Sequence, residues 1–311
     1  MTTLANRQPS KLLMKLSRQL YADESERDRF IDALTHPKSF HPCILWCREP
    51  DSYPFLPEPP LPWQPPFVDR LAIGTRPGTH PLHHQGYFYC LDFSSVFAAT
   101  VLLTIPQPVQ QVLDLCAAPG GKSVFAWRSL HPSLLLCNEV IGKRIGALIS
   151  NLQRCHIYPY QVFSHDSEQW AVRSPASMDV VLVDAPCTGQ SLIAKGDDAP
   201  GCFHPVQINK NANRQRRILA NAAQTVALGG YLAYMTCTYS PEENEETIAW
   251  LLARFPQFQP VTVSALQPFQ SHLTTMPCYR MMPQDGLGAG AFTCLLQRLP
   301  ATSQPATTDL G

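Results

Sequence analysis

The 311-residue chain has no excess of either charge: 24 Lys and Arg stand against 24 Asp and Glu. Composition therefore excludes a protein that holds nucleic acid or membrane through its overall field, although a local basic patch stays open. Long apolar runs are missing too. The longest, within SVFAATVLLTI at 95–105, falls well short of the roughly 20 residues that a membrane-spanning helix needs. The first residues are polar and turn acidic at Asp23, Glu24 and Glu26, unlike a secretory signal or an organellar presequence. The expectation is a cytoplasmic protein without a membrane partner. Eleven cysteines contain no C-x-x-C pair. Cys43 and Cys47 beside His41, and the loop histidines His80, His83 and His84, come nearest to a ligand set. Buried thiols in a reducing compartment explain the cysteines better, so no metal is expected.

Glycine is also scarce where nucleotide-binding fingerprints require it. The stretch VLDLCAAPGGKSVFAW, residues 112–127, ends its turn in Gly-Gly-Lys-Ser, as a phosphate-binding P-loop does. A P-loop needs a glycine five positions before Gly121, and Cys116 stands there. Only Gly120 and Gly121 are present, so the dinucleotide pattern G-x-G-x-x-G fails as well. A compact turn between a strand and a helix is left, able to press its backbone against an uncharged ligand.

What is abundant is proline, 30 residues in all. It crowds REPDSYPFLPEPPLPWQPPF (48–67), which can form neither a helix interior nor a central strand. This reads as an extended connector anchored by Trp63 and Phe67. Before it come one or two helices, the clearer being DESERDRFIDAL with Asp23 as its cap. After it, Pro77-Gly78 signals a turn and Tyr87 to Tyr89 a short strand. From about residue 108 strands and helices alternate. The strands are QQVLDLC, SLLLCNEV, YQVFSH, MDVVLVDAP and GYLAYMTCT; the helices are KSVFAWRSL, KRIGALISNLQRC, SEQWAV, NRQRRILANAAQTVAL and EENEETIAWLLARF. Alternation of this kind predicts an α/β fold with a doubly wound parallel sheet. The ligand crevice then lies at the carboxyl ends of the strands. We expect residues 1–90 to form a smaller α+β extension, 91–300 the main domain, and 301–311 a loose tail.

The strand ends carry the chemistry. Glu139 closes the second strand about twenty residues after the glycine turn, where an acid accepts ribose hydroxyls. Asp166, at the third, could bond an adenine amino group. Asp184 and Cys187 end the fourth strand and Cys237 the fifth. If those strands are neighbours, the two thiols face one crevice, either as a reactive pair or as structural cysteines.

DLCAAPGGKS, VDAPCTG and MTCTYSPEENE resemble the motifs of the RNA 5-methylcytosine methyltransferases, the Sun-type family with its bacterial rRNA enzymes. GYFYCLDFSS and GAFTCLLQR resemble segments flanking that family's core, except that Ala291 replaces a usual aromatic. The resemblance implies a Rossmann-like methyltransferase sheet, S-adenosylmethionine as cofactor and RNA as partner, rRNA rather than tRNA. It implies cofactor contacts from Cys116, Ala117, Ala118, Pro119, Gly120, Gly121, Lys122, Glu139, Arg144, Asp166 and Asp184. It assigns attack on cytosine carbon-6 to Cys237 and product release to Cys187. Asp184 would bond the cytosine edge and Lys122 would sit by the reacting groups. The extension at 1–90 is a candidate RNA contact, as are Lys195, Lys210, Arg214, Arg216 and Arg217, read as flanking and opening the helix after Cys187. The neutral net charge leaves room for a ribosomal particle to present the substrate. The rival readings are an RNA-binding assembly factor without turnover and a DNA cytosine methyltransferase. A missing Asn/Asp-Pro-Pro-aromatic motif argues against methylation of an exocyclic amine.

Overall fold

A computed structural model describes residues 8–300, so the tail expected at 301–311 lies outside the described residues. The chain opens with α1 (Lys11–Leu20) and α2 (Glu24–Thr35). Ser10 and Asp23 cap them, each accepting a backbone N–H three residues on, at 3.1 and 3.0 Å; such caps satisfy amides that the helix leaves unpaired. β1 (Cys43–Trp46), β2 (Val68–Arg70), the short α3 (Pro81–His84) and β3 (Phe88–Leu91) follow. The three strands make an antiparallel sheet in the order β2-β1-β3. Then come α4 (Phe93–Ala99), β4 (Gln111–Asp114), α5 (Gly121–Leu130), β5 (Leu134–Asn138), α6 (Gly142–Arg154) and β6 (Tyr160–Phe163). The chain continues through α7 (Ser167–Arg173), β7 (Met178–Asp184), α8 (Ser191–Ala194), α9 (Pro205–Thr225) and β8 (Val226–Thr236). α10 (Glu245–Arg254), β9 (Phe258–Pro260), β10 (Tyr279–Met281) and β11 (Ala291–Arg298) complete it.

The large sheet runs β10-β11-β8-β7-β4-β5-β6, with β9 on β11. β8, β7, β4, β5 and β6 are mutually parallel, as the alternating pattern predicts, and β11 lies antiparallel to β8. The strand order reverses between β4 and β7, which opens the crevice there. Side chains alternate between the two faces. Val112, Val180 and Leu182 pack with Val124, Phe125 and Leu148 on one; Leu113, Val181 and Val183 pack with Trp170, Ile218 and Ile248 on the other. Trp63 and Phe67 are buried as expected, in the same cluster as Val112 and Leu182.

Two details depart from the sequence reading. α9 starts about two turns before Asn213, because His204 accepts the Val206 N–H at 3.2 Å and Pro205 occupies the first turn. Lys210, Arg214, Arg216 and Arg217 thus lie inside the helix rather than at its opening. Val226–Leu228, read as the end of this helix, instead begin β8. Cys43 and Cys47 are buried about β1, and His41 Nδ1 lies 2.8 Å from the Leu71 carbonyl.

Candidate active site

The glycine turn leaves β4 at Asp114, which is fully buried and organises the turn from below. Its Oδ1 accepts the Cys116 N–H at 3.2 Å and its Oδ2 the Ser123 hydroxyl at 2.7 Å. Burial raises the Asp114 carboxyl to about 6, against the partial relief of the Ser123 hydrogen bond. Gly120 has φ +113, a left-handed backbone that disfavours any other residue. Asn138 joins the strand ends: its amide donates to the Leu115 and His165 carbonyls at 3.2 and 3.0 Å, and its oxygen accepts the His165 N–H at 2.9 Å.

Beside this turn, Glu139 follows β5 directly. Its side chain is 3% exposed, and Oε1 accepts the Ile141 N–H at 2.8 Å. Oε2 lies 3.0 Å from Arg144 Nη1 yet outside hydrogen-bond geometry, leaving a buried acceptor unpartnered. Arg144 also donates to the Ala118 carbonyl. Asp166 sits at the start of α7 rather than on β6, accepting the Glu168 N–H at 3.1 Å and standing 3.4 Å from Arg217.

Across the crevice, Lys122 Nζ meets Asp184 Oδ2 at 2.7 Å and Ser95 Oγ of α4 at 3.4 Å. Burial works to lower the Lys122 pKa, but the Asp184 carboxylate outweighs it and holds the ammonium above its ordinary value. Adjacent β7 and β8 bring the two cysteines together, with Cys187 Sγ and Cys237 Sγ 3.1 Å apart. Cys237 is exposed and Cys187 half-buried. Their hydrogen bond holds the Cys237 thiol below its ordinary value and pushes Cys187 well above it. Burial and Asp184 oppose the shift at Cys237, and Lys122 assists it.

Several supporting residues escaped the sequence reading. Glu243, fully buried, accepts the Thr188 hydroxyl at 2.5 Å and N–H at 3.0 Å, and the Gln215 amide at 2.8 Å. Gln190 donates to Ser240 Oγ at 2.7 Å and accepts the Tyr239 N–H at 2.8 Å. These bonds lock the Cys187 loop to the Cys237 loop. The cluster of acids in PEENEE was visible, but not which of them turn inward, Glu243 here and Glu245 toward Arg280. The expected basic patch is partly neutralised: Lys195 pairs with Asp92 at 2.6 Å and Arg217 with Asp166.

Residues 100–297 match the family described as 16S rRNA methyltransferase RsmB/F. The chain is 32% identical over 256 residues to a ribosomal RNA small subunit methyltransferase F of Cronobacter sakazakii, covering 80% of this chain and 53% of that protein. It is 33% identical over 203 residues to its Klebsiella pneumoniae counterpart, covering 64% and 42%. The chain thus spans about half the length of the curated relatives it matches. Among solved structures, NSun6 from Pyrococcus horikoshii with SFG superposes with a TM-score of 0.73 at 18% identity, over 94% of this chain and 98% of that one. A methyltransferase homolog protein from Pyrococcus horikoshii gives 0.71 at 21% identity, over 93% and 100%. These two likenesses establish the Rossmann-like methyltransferase fold.

Proposed function

The chain belongs to the 16S rRNA methyltransferase RsmB/F family, and on that premise we propose that it methylates carbon-5 of a cytosine in ribosomal RNA, with Cys237 bonded covalently to the base during the reaction. The observation that carries this reading is the thiol pair. Cytosine carbon-5 is a poor nucleophile until another nucleophile adds at carbon-6, and a thiolate both attacks well and leaves well. Cys237 supplies that thiolate, kept below its ordinary pKa by the Cys187 hydrogen bond and, secondarily, by the Lys122 ammonium. Its attack forms the sulfur–carbon-6 bond and moves electron density onto carbon-5. S-adenosylmethionine, when bound, supplies the electrophilic methyl group. Afterwards the carbon-5 proton must leave, the double bond reforms, and the sulfur–carbon-6 bond breaks with its electron pair returning to Cys237. Cys187 stands where a group assisting that release is needed, and Asp184 faces the same crevice to orient the base.

The pocket fits the cofactor by its own donor set. Glu139 Oε2, ion-paired with Arg144 but accepting no hydrogen bond, is an acceptor for a ribose hydroxyl, since a buried oxygen left without a hydrogen bond costs about 1–3 kcal/mol. Arg144, which pairs with Glu139, also holds the Cys116–Gly121 turn through Ala118, and Asp166 at the start of α7 is assigned to the adenine. The neutral net charge fits a substrate presented by a ribosomal particle, and ribosomal RNA takes precedence over transfer RNA through the family relation.

The test is covalent trapping. Cys187→Ala, expressed in cells, should retain RNA through a denaturing gel, and the adduct should vanish when Cys237→Ala is added. A folded Cys187→Ala protein that binds cofactor but never carries RNA would sink the two-thiol assignment and bring forward an RNA-binding factor without turnover.

A further inference from the structure

Away from the thiols, two cavities meet along the N-terminal elements. One, about 340 Å³, lies between the segment at 38–43, the β3–α4 junction and Lys195. The other, about 420 Å³, lies between α2 and the turn at 283–286 and is lined by Arg29 and His36. Lys38, Ser39 and Phe40 line both, so the two adjoin along this segment, and together they are called the groove below. Each part is of ligand-binding size.

The inner end of this groove touches the reactive elements twice. Lys195 Nζ lies 2.6 Å from Asp92, the cap of α4, and Ser95, a turn further along α4, contacts Lys122. Lys195 also ends α8, whose first residue, Ser191, donates its N–H to the Cys237 carbonyl at 3.2 Å. At the rise of an α-helix, Lys195 is roughly 6 Å further along that axis.

Charge selects the occupant. Arg29, Lys38 and Lys195 face the groove against the carboxylates of Asp32 and Asp92. Asp92 is taken by Lys195 and by the Ser94 N–H at 2.8 Å, and Asp32 lies 2.8 Å from His36. Arg29 shares its guanidinium with Glu26 at 2.7 Å. Lys38 is exposed and, among the described residues, pairs with no carboxylate. Phe40, half-buried and packed against the cluster of Leu16 and Phe30, lines both cavities and is the aromatic residue that Lys38 and Arg29 share a cavity with. Cations tracking a groove with an aromatic platform beside them suit a single nucleic-acid strand.

We propose that this groove holds the RNA strand adjoining the target cytosine, with phosphates on Lys38 and Arg29 and a base on Phe40, and with Lys195, paired to Asp92, closing its inner end. The inference rests on the reading that Cys237 acts on RNA, and it assigns the strand to this groove rather than to the α9 cations.

The probe is a fluorescein-labelled oligocytidylate RNA of about ten nucleotides, titrated at two KCl concentrations. Lys38→Ala with Arg29→Ala should weaken binding about tenfold and flatten the logarithmic salt slope by about one to two, because each lost phosphate contact removes close to one unit. Phe40→Ala should weaken binding about fivefold or more with the salt slope unchanged. Both groove cations are exposed, so the melting temperature should hold. Wild-type affinity and slope in the double variant, or a loss confined to Lys210→Ala with Arg214→Ala on α9, overturn the groove. If trapping by Cys187→Ala persists alongside that result, the groove alone fails. If the wild-type protein neither binds the probe nor traps RNA, the methyltransferase reading fails and the groove with it.

Discussion

Cys187 and Cys237 carry the same thiol 3.1 Å apart, yet their surroundings push them in opposite directions. Once Cys237 is ionised, the S–H of Cys187 is the group of the pair able to donate, and a hydrogen bond to the charged form favours that form. Alkylation of Cys237 by iodoacetamide, followed by mass spectrometry across pH, should therefore reach half-maximal rate below the ordinary thiol value of 9.0. In Cys187→Ala that midpoint should rise, because the donor is gone. An unmoved midpoint would mean that Lys122 alone sets the reactivity. Asp114 titrates the other way. Its carboxyl moves from 3.8 to about 6 on folding, so the folded state binds the proton more tightly. Its contribution is complete below pH 3.8 and is lost as pH rises through about 6. The loss is on the order of 3 kcal/mol for a shift of this size. Asp114→Asn has no proton to lose there. Its stability relative to wild type, measured by urea unfolding, should climb between pH 4 and pH 7; a flat difference would contradict the buried-acid account.

Loops are held here by one inward acid. Glu243, at the end of the 3₁₀ turn Pro241–Glu243, binds Thr188 from the other cysteine loop and Gln215 from α9. Glu243→Ala would leave the Thr188 N–H, and one hydrogen of the Gln215 amide whose other bond goes to the Pro186 carbonyl, buried without acceptors, at about 1–3 kcal/mol each. Methyl transfer should fall at least about tenfold through misplacement of the thiols, with cofactor binding retained because Glu243 does not line the glycine turn. Glu243→Gln keeps one acceptor and should recover part of the rate, in a kcat measurement rather than in KM. Elements also show what local sequence conveys. Asp23 as a helix cap, the glycine turn and the five parallel strands were readable because each depends on neighbours in the chain. The start of α9 was misread because a histidine cap before proline is a weaker signal than the charged run that follows it.

At the level of the molecule, the N-terminal elements and the large sheet share one core. Trp63 of the proline-rich connector lies tilted against Phe93, ring centroids 4.8 Å apart, and meets Phe269 edge-on at 5.9 Å. Leu45 and Phe67 sit in the cluster that contains Val112 and Leu182. Trp63→Ala should therefore cost about 3–5 kcal/mol, visible as a lower urea midpoint of the single transition, not as loss of a separate first transition. Two resolved transitions, with only the first affected, would show that the extension folds by itself. A second buried device, the Arg280–Glu245 ion pair with its bond from Ser271 at 2.6 Å, ties β10 to α10. Arg280→Met strands that carboxylate and should lower stability by about 3–5 kcal/mol.

By itself, the sequence determined the parallel order of strands and helices, the glycine turn that excludes a phosphate loop, and the strand ends where Glu139, Asp184, Cys187 and Cys237 stand. Periodicity and turn chemistry act over a few residues, so they survive without knowledge of the fold. Tertiary structure alone decided that Glu243 and Glu245 turn inward, to different partners, and that Lys195 is spent on Asp92. It also decided that the segment around Phe40 comes to lie beside the β3–α4 junction. Those outcomes depend on contacts between residues tens to hundreds of positions apart, and on which acid meets a donor that burial has cut off from water. No local pattern in the chain encodes that meeting.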